Sequence, residues 1–299
     1  MRSTLKPIFI LVLACGLVAA QSSSNAKPAE KAAAAPATNL PSEATVTAFL
    51  QQTFGYEANV TWKVSSIKPA SVPGLAQVDI VLATPQGQQA SRLYVTADGE
   101  HAVVGDIIPF GPKPFDPVRK LLEKGITGPG RGPKGAPVMI VEFGDLQCPA
   151  CKAAQPAIEG LIAAEPDARF VFQNFPLEMH NWAAKGAAYA DCVGIASSEA
   201  FWKFIAKTYE TQSDITAENA DEKLTALADG AGVKGADIAA CANTPVTKAH
   251  VDTSLALGKA VNVTGTPTLF INGRSIGNVS QVPAETLKGL VDFAAKQGK

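Results

Sequence analysis

The chain has 299 residues, more than one ordinary domain holds, so its length predicts two folded units with tails. It is 46% hydrophobic and 18% charged, and 26 Lys and Arg against 27 Asp and Glu give a net charge of −1. This composition is typical of a globular soluble protein, and the length argues against a single small module. It gives no electrostatic reason to expect a nucleic-acid partner, because proteins that bind nucleic acid need a basic face.

The first twenty residues have the pattern of a cleavable secretory signal. A positively charged start precedes an apolar run, and small residues end the segment at Val18-Ala19-Ala20. We therefore expect cleavage after Ala20 and a periplasmic or secreted protein. Two alternatives are a membrane anchor, for which the apolar run falls short of the ~20 residues of a spanning helix, and a lipoprotein acylated on Cys15.

Two later segments are predicted to be connections. Residues 21 to 40 are Ser, Ala, Pro and Lys without an apolar period, which indicates a flexible tether. Residues 111 to 127 form a linker, because prolines crowd the stretch from Pro109 to Pro117 and a short helix follows at Val118 to Lys124.

Residues 41 to 110 are predicted to form a small α+β domain. Ser42 can cap a helix, and alternating apolar residues then predict strands, the last over 103–108. Asp98-Gly99 is a hairpin turn signal between the last two strands. The expected structure is a helix on an antiparallel sheet, with His101 at the surface.

Residues 128 to 299 are predicted to form a second domain, of the α/β class. Val138 to Phe143 is a nearly continuous apolar strand, a helix runs from Pro149 to about Ala164, and a strand follows at Arg169 to Asn174. Helical periods dominate from 180 to 259, before a strand, a turn and a closing helix. The sequence therefore predicts a helical insertion within a small α/β sheet.

The motif Cys148-Pro149-Ala150-Cys151 lies where the apolar strand ends and the helix begins. A helix N-terminus stabilises a thiolate through its free N–H groups, and this spacing puts both sulfurs on one helical turn. Cys148 is then the exposed nucleophile and Cys151 the resolving thiol. Without Cys15 four cysteines remain, an even number that favours two pairs in an exported protein.

Two other interpretations of the motif remain open. A zinc site uses the same spacing but needs about four ligands, and His180 and His250 are isolated and expected on helices of the insertion. A static disulfide would close so small a ring that it stabilises little. The motif favours a redox pair with no metal and no other cofactor.

Further motifs lie around the cysteines in a fixed order. They are Ala136-Pro137-Val138 with Val141-Glu142-Phe143, then Phe175-Pro176-Leu177 with His180, then Val263 to Phe270 with Asn272-Gly273. With the cysteine motif, these residues resemble the DsbA-type thiol-disulfide oxidoreductases. The resemblance covers about residues 128 to 299 and implies a thioredoxin-like fold with an inserted helical subdomain.

The resemblance implies roles for matching positions. Pro267 would be the cis-proline that faces the active site, and Thr266 would offer backbone groups to an extended substrate peptide. Glu142 would be the partly buried acid that helps to move the proton of Cys151, with a solvated carboxylate at the end of a strand as the alternative. Pro156 would kink the active-site helix.

The resemblance also implies that Cys192 and Cys241 form a structural disulfide, with two unpaired thiols as the alternative. Ala150 departs from the family, because the strongest oxidants have histidine there, so a milder oxidant or an isomerase is possible. Aromatic residues of the insertion are expected mainly in the core, and a few would line a groove for unfolded clients: Trp182, Tyr189, Phe201, Trp202 and Phe204.

The N-terminal domain has a fainter resemblance. Val72-Pro73-Gly74-Leu75, Leu93-Tyr94-Val95 and Asp98-Gly99 with Val103 to Gly105 resemble the dimerisation domain of DsbC and DsbG-type isomerases. This resemblance implies a homodimer with two catalytic domains facing each other across a cleft.

The prediction is therefore an exported protein-disulfide oxidoreductase or isomerase. Its partners would be client proteins with cysteines and a membrane-bound redox partner that resets the pair, and not nucleic acid. The alternative is a non-enzymatic chaperone or binding protein with an idle cysteine pair. The direction of electron flow, as oxidase, reductase or isomerase, stays open.

Overall fold

A computed structural model describes residues 40–57, 59–84, 87–105, 107–108 and 110–297, all within the structural unit Ala37–Lys299. The predicted signal peptide, its cleavage after Ala20, the lipoprotein alternative at Cys15 and the tether up to residue 39 lie outside the described residues. Within the part of the chain that the structure describes, no helix is both long and apolar enough to cross a lipid bilayer.

The N-terminal part is a helix on a four-stranded antiparallel sheet, as predicted. Its elements are α1 (Glu43–Phe54), β1 (Thr61–Pro69), β2 (Leu75–Thr84), β3 (Gly87–Thr96) and β4 (Ala102–Val104), with the strands in the order β1-β2-β3-β4. The side chain of Ser42 caps α1 by accepting a hydrogen bond from the Thr45 N–H at 3.1 Å. Val46 and Leu50 of α1 form a core with apolar residues of the sheet, Val78, Ile80 and Leu93.

The last strand is shorter than predicted. β4 ends at Val104, whereas the sequence predicts a strand over 103–108. Gly105 has a φ of +134°, which takes the backbone out of the strand conformation. β4 pairs with β3 over a short ladder, from Leu93 with Val104 to Val95 with Ala102. It is therefore a short edge strand of the sheet.

Helix α2 (Asp116–Gly125) leads from this sheet to the next one. Leu122 of α2 is fully buried and packs with apolar residues of the second sheet and of a later helix, Val141, Phe143, Val171, Phe270 and Leu257. The helix that the sequence assigns to a linker therefore contributes to the core of the C-terminal part.

The C-terminal sheet has five strands in the order β5-β7-β6-β8-β9. They are β5 (Gly130–Arg131), β6 (Met139–Gly144), β7 (Arg169–Asn174), β8 (Thr268–Ile271) and β9 (Arg274–Ile276). Helix α3 (Pro149–Ala164) connects β6 to β7, which run parallel, and β8 is antiparallel to β6. Strand β6 thus lies at the centre of the sheet and is buried along nearly its whole length, in agreement with its apolar sequence.

A helical insertion separates β7 from β8, as predicted. It contains α4 (Ala183–Ala196), α5 (Ser198–Glu210), α6 (Ala220–Ala231), α7 (Gly235–Ala242) and α8 (Pro245–Ala260), and α9 (Ala284–Gln297) closes the chain. Ser197 and Thr244 begin α5 and α8 by accepting hydrogen bonds from backbone N–H groups, which explains the predicted breaks there. Helices pack on both faces of the sheet, α3 and α9 on one and α2 and α8 on the other, and with the parallel β6-α3-β7 unit this confirms the predicted α/β class.

Candidate active site

The cysteine motif lies at the N-terminus of α3. Cys148 is the residue that precedes the helix, with extended φ and ψ of −74° and 119°, and its carbonyl accepts a hydrogen bond from the Lys152 N–H at 3.2 Å. Pro149 takes the first helical position, where its missing N–H breaks no hydrogen bond. The strand, the turn and the helix therefore present Cys148 at the end of α3 where N–H groups are free.

Cys148 itself is not exposed, contrary to the sequence prediction. Only 6% of the residue is accessible, and its sulfur lies 3.4 Å from the carbonyl oxygen of Thr266. Pro149 and Ala150, the next two residues, are exposed. The turn that carries the thiol is open to solvent while the sulfur is shielded by the loop opposite.

The pKa of Cys148 is lowered to about 6. The main cause is the hydrogen bond that the Cys151 thiol donates to its sulfur, and the backbone N–H of Cys151 lowers the pKa further. Burial and the negative charge of Asp145 act in the opposite direction. Cys148 is thus the thiol of the pair that ionises near neutral pH.

Cys151 is fully buried, and both cysteines are in the thiol form. Burial raises the pKa of Cys151 well above its usual range, and its interactions with Cys148 and Glu142 raise it further. The N–H of Asp145 lies 3.5 Å from its sulfur. The two thiols therefore differ strongly in acidity, as the predicted roles of nucleophile and resolving thiol require.

Glu142 lies on β6 and is 2% exposed, so it is fully buried rather than partly buried as the resemblance implies. Burial raises its pKa to about 8, against the effect of the Gln155 amide, which approaches the carboxylate oxygen at 3.4 Å. The same amide donates to the Cys151 carbonyl at 3.3 Å. Glu142 is therefore an acid that can exchange a proton near neutral pH, and it acts electrostatically on Cys151.

The Thr266–Pro267 peptide bond is cis, as predicted, and Pro267 is buried. The loop ends as Thr268 begins β8, and the Thr268 hydroxyl donates to the Gly265 carbonyl at 2.7 Å. The carbonyl of Thr266 faces the Cys148 sulfur. Pro156 lies inside α3, at the position predicted for a kink.

Sequence reasoning missed the pair formed by Asp145 and His180. His180 is neither isolated nor on a helix of the insertion, because it precedes α4 and its Nδ1 lies 2.7 Å from the Asp145 carboxylate. Asp145 follows β6 directly, three residues before Cys148. The position of Asp145 between a buried strand and a helix N-terminus was the one sequence signal for this pair. His180 is 35 residues further along the chain, so no local pattern connects it with Asp145.

The end of α5 also reaches the active-site turn. The Gln212 amide donates to the carbonyls of Leu146 and Cys148 at 2.8 Å and 3.1 Å, and the Tyr209 hydroxyl to that of Asp145 at 3.4 Å. The helical insertion thus fixes the backbone of the turn that carries Cys148.

Cys192 and Cys241 form a disulfide, with an S–S distance of 1.98 Å and 6.0 Å between the Cα atoms. The bridge joins α4 to α7, and Cys192 is buried while Cys241 is half-buried. The disulfide implied by the resemblance is therefore present.

The remaining predicted residues lie away from this cluster or in the core. His250 is on α8 as predicted, with Nδ1 3.1 Å from the Asp191 carboxylate, and His101 is exposed on the hairpin before β4. The aromatic residues Trp182, Tyr189, Phe201 and Phe204 are buried in one core with Cys148 and Cys151, and Trp202 is half-buried under Arg131.

Comparison with protein families agrees with this geometry. A family model described as thioredoxin matches residues 124–292, and a model described as the N-terminal domain of disulfide bond isomerase proteins matches residues 28–111. The two matches correspond to the C-terminal α/β part and to the segment that includes the N-terminal antiparallel sheet.

Curated relatives match about half of the chain. The Na(+)/H(+) antiporter NhaA 1 of Salinispora arenicola is 31% identical over 163 residues, 48% of this chain and 21% of the antiporter. Disulfide bond formation protein D of Bacillus subtilis is 30% identical over 159 residues, 50% of this chain and 70% of that protein. The chain thus spans about a fifth of the length of the antiporter.

Solved structures share the fold. Oxidised BdbD from Bacillus subtilis gives a TM-score of 0.51 at 25% identity, over 56% of this chain and 93% of BdbD. The thiol-disulfide exchange protein alpha-DsbA2 from Wolbachia pipientis gives 0.52 at 20% identity, over 62% of this chain and 99% of that one. With the thioredoxin family model, these likenesses confirm the predicted thioredoxin-like fold.

Proposed function

The chain belongs to the thioredoxin family, among its DsbA-type thiol-disulfide oxidoreductases, and on that premise we propose that it exchanges disulfides with exported client proteins through Cys148 and Cys151. The reaction forms, reduces or isomerises client disulfides. It needs no metal and no nucleotide, because two electrons pass directly between the Cys148–Cys151 pair and two cysteine sulfurs of the client.

The observation that carries this proposal is the acidity of Cys148. Its pKa of about 6, against ~8.5 for a free cysteine, leaves the thiol largely ionised at neutral pH. That difference corresponds to about 3 kcal/mol of stabilisation of the thiolate relative to the thiol. A thiolate is both the nucleophile of thiol-disulfide exchange and its best leaving group.

The exchange follows from the two acidities. In reduction, the Cys148 thiolate attacks a client disulfide, a mixed disulfide forms, and one client sulfur leaves as a thiolate. Cys151 loses its proton and attacks Cys148, which releases the second client thiolate and leaves the Cys148–Cys151 disulfide. Oxidation of a client dithiol is the same sequence in reverse.

Glu142 and the cis-proline loop have supporting roles in this proposal. Glu142, with a pKa of about 8, accepts the proton of Cys151 when that thiol must attack and returns it when Cys151 leaves. Thr266 binds the extended client segment through its backbone, next to the Cys148 sulfur. Pro267 holds that backbone in place.

The remaining parts of the proposal concern organisation and location. Residues 41–110 are a dimerisation domain, 111–127 a linker with a short helix, and 128–299 the catalytic domain. The likeness of residues 28–111 to the N-terminal domain of disulfide bond isomerase proteins supports the first of these. The protein is exported after cleavage at Ala20, and a membrane-bound partner restores the redox state of the pair.

Insulin reduction in the presence of glutathione tests the function. Wild-type protein should accelerate it, Cys148→Ser should abolish the acceleration, and Cys151→Ser should accumulate a mixed disulfide with the client. His250→Asn, remote from the pair, is the control and should match wild type. A wild-type protein that binds unfolded insulin without reducing it would favour the chaperone alternative with an idle cysteine pair.

The direction of exchange depends on the reduction potential of the pair. Ala150 adds no positive charge beside the thiolate, which supports a milder oxidant or an isomerase. Equilibration with glutathione measures this reduction potential. A difference of ~30 mV corresponds to ~1.4 kcal/mol in the free energy that favours one direction of exchange.

A further inference from the structure

A buried carboxylate lies beside both sulfurs of the pair. The side chain of Asp145 is 0% exposed, its backbone N–H lies 3.5 Å from the Cys151 sulfur, and its carbonyl accepts a hydrogen bond from the Cys148 N–H at 3.0 Å. Its negative charge opposes ionisation of Cys148. Cys148 can therefore stay ionised beside the Asp145 carboxylate more easily if a nearby positive charge offsets that carboxylate.

His180 is bound to that carboxylate. Its Nδ1 lies 2.7 Å from Asp145 Oδ2, which also accepts a hydrogen bond from the Leu177 N–H at 2.9 Å. Gln147 accepts a hydrogen bond from the Trp182 N–H at 2.6 Å and donates one to Asn181 at 2.9 Å. The loop that carries His180 is thus fastened to the active-site turn at several points, and the histidine has a fixed place beside Asp145.

Most other titratable groups around the pair are acidic. Glu142 approaches from β6, Asp145 from the turn before α3 and Tyr209 from α5, and all three act on Cys151 or its neighbours. Lys152, on the first turns of α3, directs its ammonium group to the carbonyl of Glu210 at 3.2 Å instead. His180 can supply the positive charge that this surrounding needs.

We propose that His180 is a positioning residue for the exchange reaction: as an imidazolium bound to Asp145, it cancels the charge of the carboxylate and so keeps Cys148 ionised. The histidine thereby supplies, from outside the cysteine motif, the positive charge that Ala150 lacks. The inference deepens the proposed function and rests on it, because it assumes that the Cys148 thiolate is the reacting species.

The ionisation of His180 fits this role. The hydrogen bond to Asp145 raises the pKa of His180 above 6.5, burial opposes this, and the charges of Asp145 and Cys148 raise it further. At pH values between the pKa of Cys148 and that of His180, the His180 imidazolium and the Cys148 thiolate are present together. As the pH rises through the pKa of His180, the imidazolium loses its proton and its support for the thiolate is lost.

The test is the ionisation of Cys148 in reduced His180→Asn, followed by the ultraviolet absorbance of the thiolate against pH. Asparagine can keep the hydrogen bond to Asp145 but carries no charge. We expect the pKa of Cys148 to rise by about one unit, a roughly tenfold loss in its ionisation equilibrium. Because the reduced form is then less stabilised, the reduction potential should fall by up to ~30 mV.

Two further variants separate electrostatics from structure. His250→Asn is the matched control, since His250 pairs with Asp191 in the same way on other helices, and it should leave the titration unchanged. In an Asp145→Asn background, His180→Asn should have little further effect, because the histidine has then lost the partner that keeps it protonated.

An unchanged titration in folded His180→Asn, or an equal shift in the Asp145→Asn background, would overturn the inference. If His180→Asn does not fold, NMR titration of His180 in the wild type decides. A pKa above 6.5 that falls when Cys148 is alkylated supports the inference, and a pKa at or below 6.5 overturns it. A wild-type Cys148 that ionises near ~8.5 would instead contradict the proposed function itself.

Discussion

Glu142 and Cys151 show how burial acts on single residues in this site. Both side chains are almost wholly buried, and burial is the main cause of the raised pKa of each. Cys148 is nearly as buried but lies at the start of α3, where hydrogen bonds from Cys151 outweigh the effect of burial. The expected order of ionisation is therefore Cys148 at about 6, Glu142 at about 8, and Cys151 above both.

The raised pKa of Glu142 predicts a pH-dependent cost in stability. An acid whose folded pKa is raised favours folding below its unfolded pKa of ~4.3, and this contribution is lost as the pH rises through about 8. Glu142→Gln should therefore become more stable than wild type as the pH increases across that window, by at most about 5 kcal/mol.

Chemical denaturation of reduced wild type and Glu142→Gln at about pH 5 and about pH 9 measures this effect. Glu199→Gln, a change on the surface of α5, is the control and should show no such divergence. A constant difference between wild type and Glu142→Gln at both pH values would contradict the account.

At the scale of single residues, the sequence predicts the roles of site residues but not the contacts that the fold makes between distant parts of the chain. Spacing and the helix start suggest that Cys148 and Cys151 act together, and the resemblance to the DsbA-type proteins implies the cis peptide at Pro267 that the structure contains. The contact of His180 with Asp145 depends on how β7 leads into α4, which no local pattern encodes. Cys148 is buried, against prediction, because a loop 118 residues further along covers it.

The helices of the insertion are joined by a disulfide and support the active-site turn. Cys192 of α4 and Cys241 of α7 are bridged within the same core that contains Cys148 and Cys151. Gln212, two residues beyond the end of α5, donates hydrogen bonds to two backbone carbonyls of the turn. The insertion therefore contributes to both the stability of the domain and the geometry of its site.

The bridge is expected to stabilise the fold and to resist mild reduction. It spans 49 positions in the sequence, which corresponds to ~4 kcal/mol in the chain-entropy model. Mild dithiothreitol should reduce the Cys148–Cys151 disulfide and leave the bridge intact, because a sulfur as acidic as that of Cys148 is a better leaving group than an ordinary cysteine sulfur. A peptide map under non-reducing conditions shows which sulfurs are linked.

Denaturation of a Cys192→Ala/Cys241→Ala variant gives the size of the effect. A loss in the free energy of unfolding well below 1 kcal/mol, or protein purified from an oxidising compartment with both thiols free, would be contrary to this expectation.

Elements with strong periodicity were predictable and short ones were not. α3 and β7 have the predicted bounds, because Pro149 starts the helix and an apolar run defines the strand. β5 has two residues between prolines and glycines, so it has no period to detect and exists only through pairing with β7. The same limit explains why β4 was predicted to be too long.

On the scale of the whole molecule, the N-terminal sheet has an edge that no other described residue pairs with. β4 is the last strand in the sheet, and Val104 is 77% exposed, with Ile108 and Phe110 also exposed beyond it. An apolar edge strand is a surface on which a second strand can pair. This supports the proposal that the protein is a homodimer through residues 41–110.

Light scattering should therefore find a dimer for the chain from Gln21 and a monomer for the chain from Gly111. The second start keeps α2, because Leu122 is buried in the core of the C-terminal part. Val104→Lys should also give a monomer, whereas Val246→Lys, at another exposed apolar site, on α8, should not. A monomeric chain from Gln21 at micromolar concentration would end the dimer proposal.

The central claim is that Cys148 is the acidic nucleophile of the pair, and alkylation tests it most directly. Reduced protein is treated with iodoacetamide across a range of pH, and the labelled cysteines are identified by mass spectrometry. The account predicts that Cys148 is labelled first, with a rate that rises through about pH 6, while Cys151 stays unlabelled at neutral pH. Faster labelling of Cys151 at neutral pH, or a Cys148 rate that rises only near ~8.5, would contradict it.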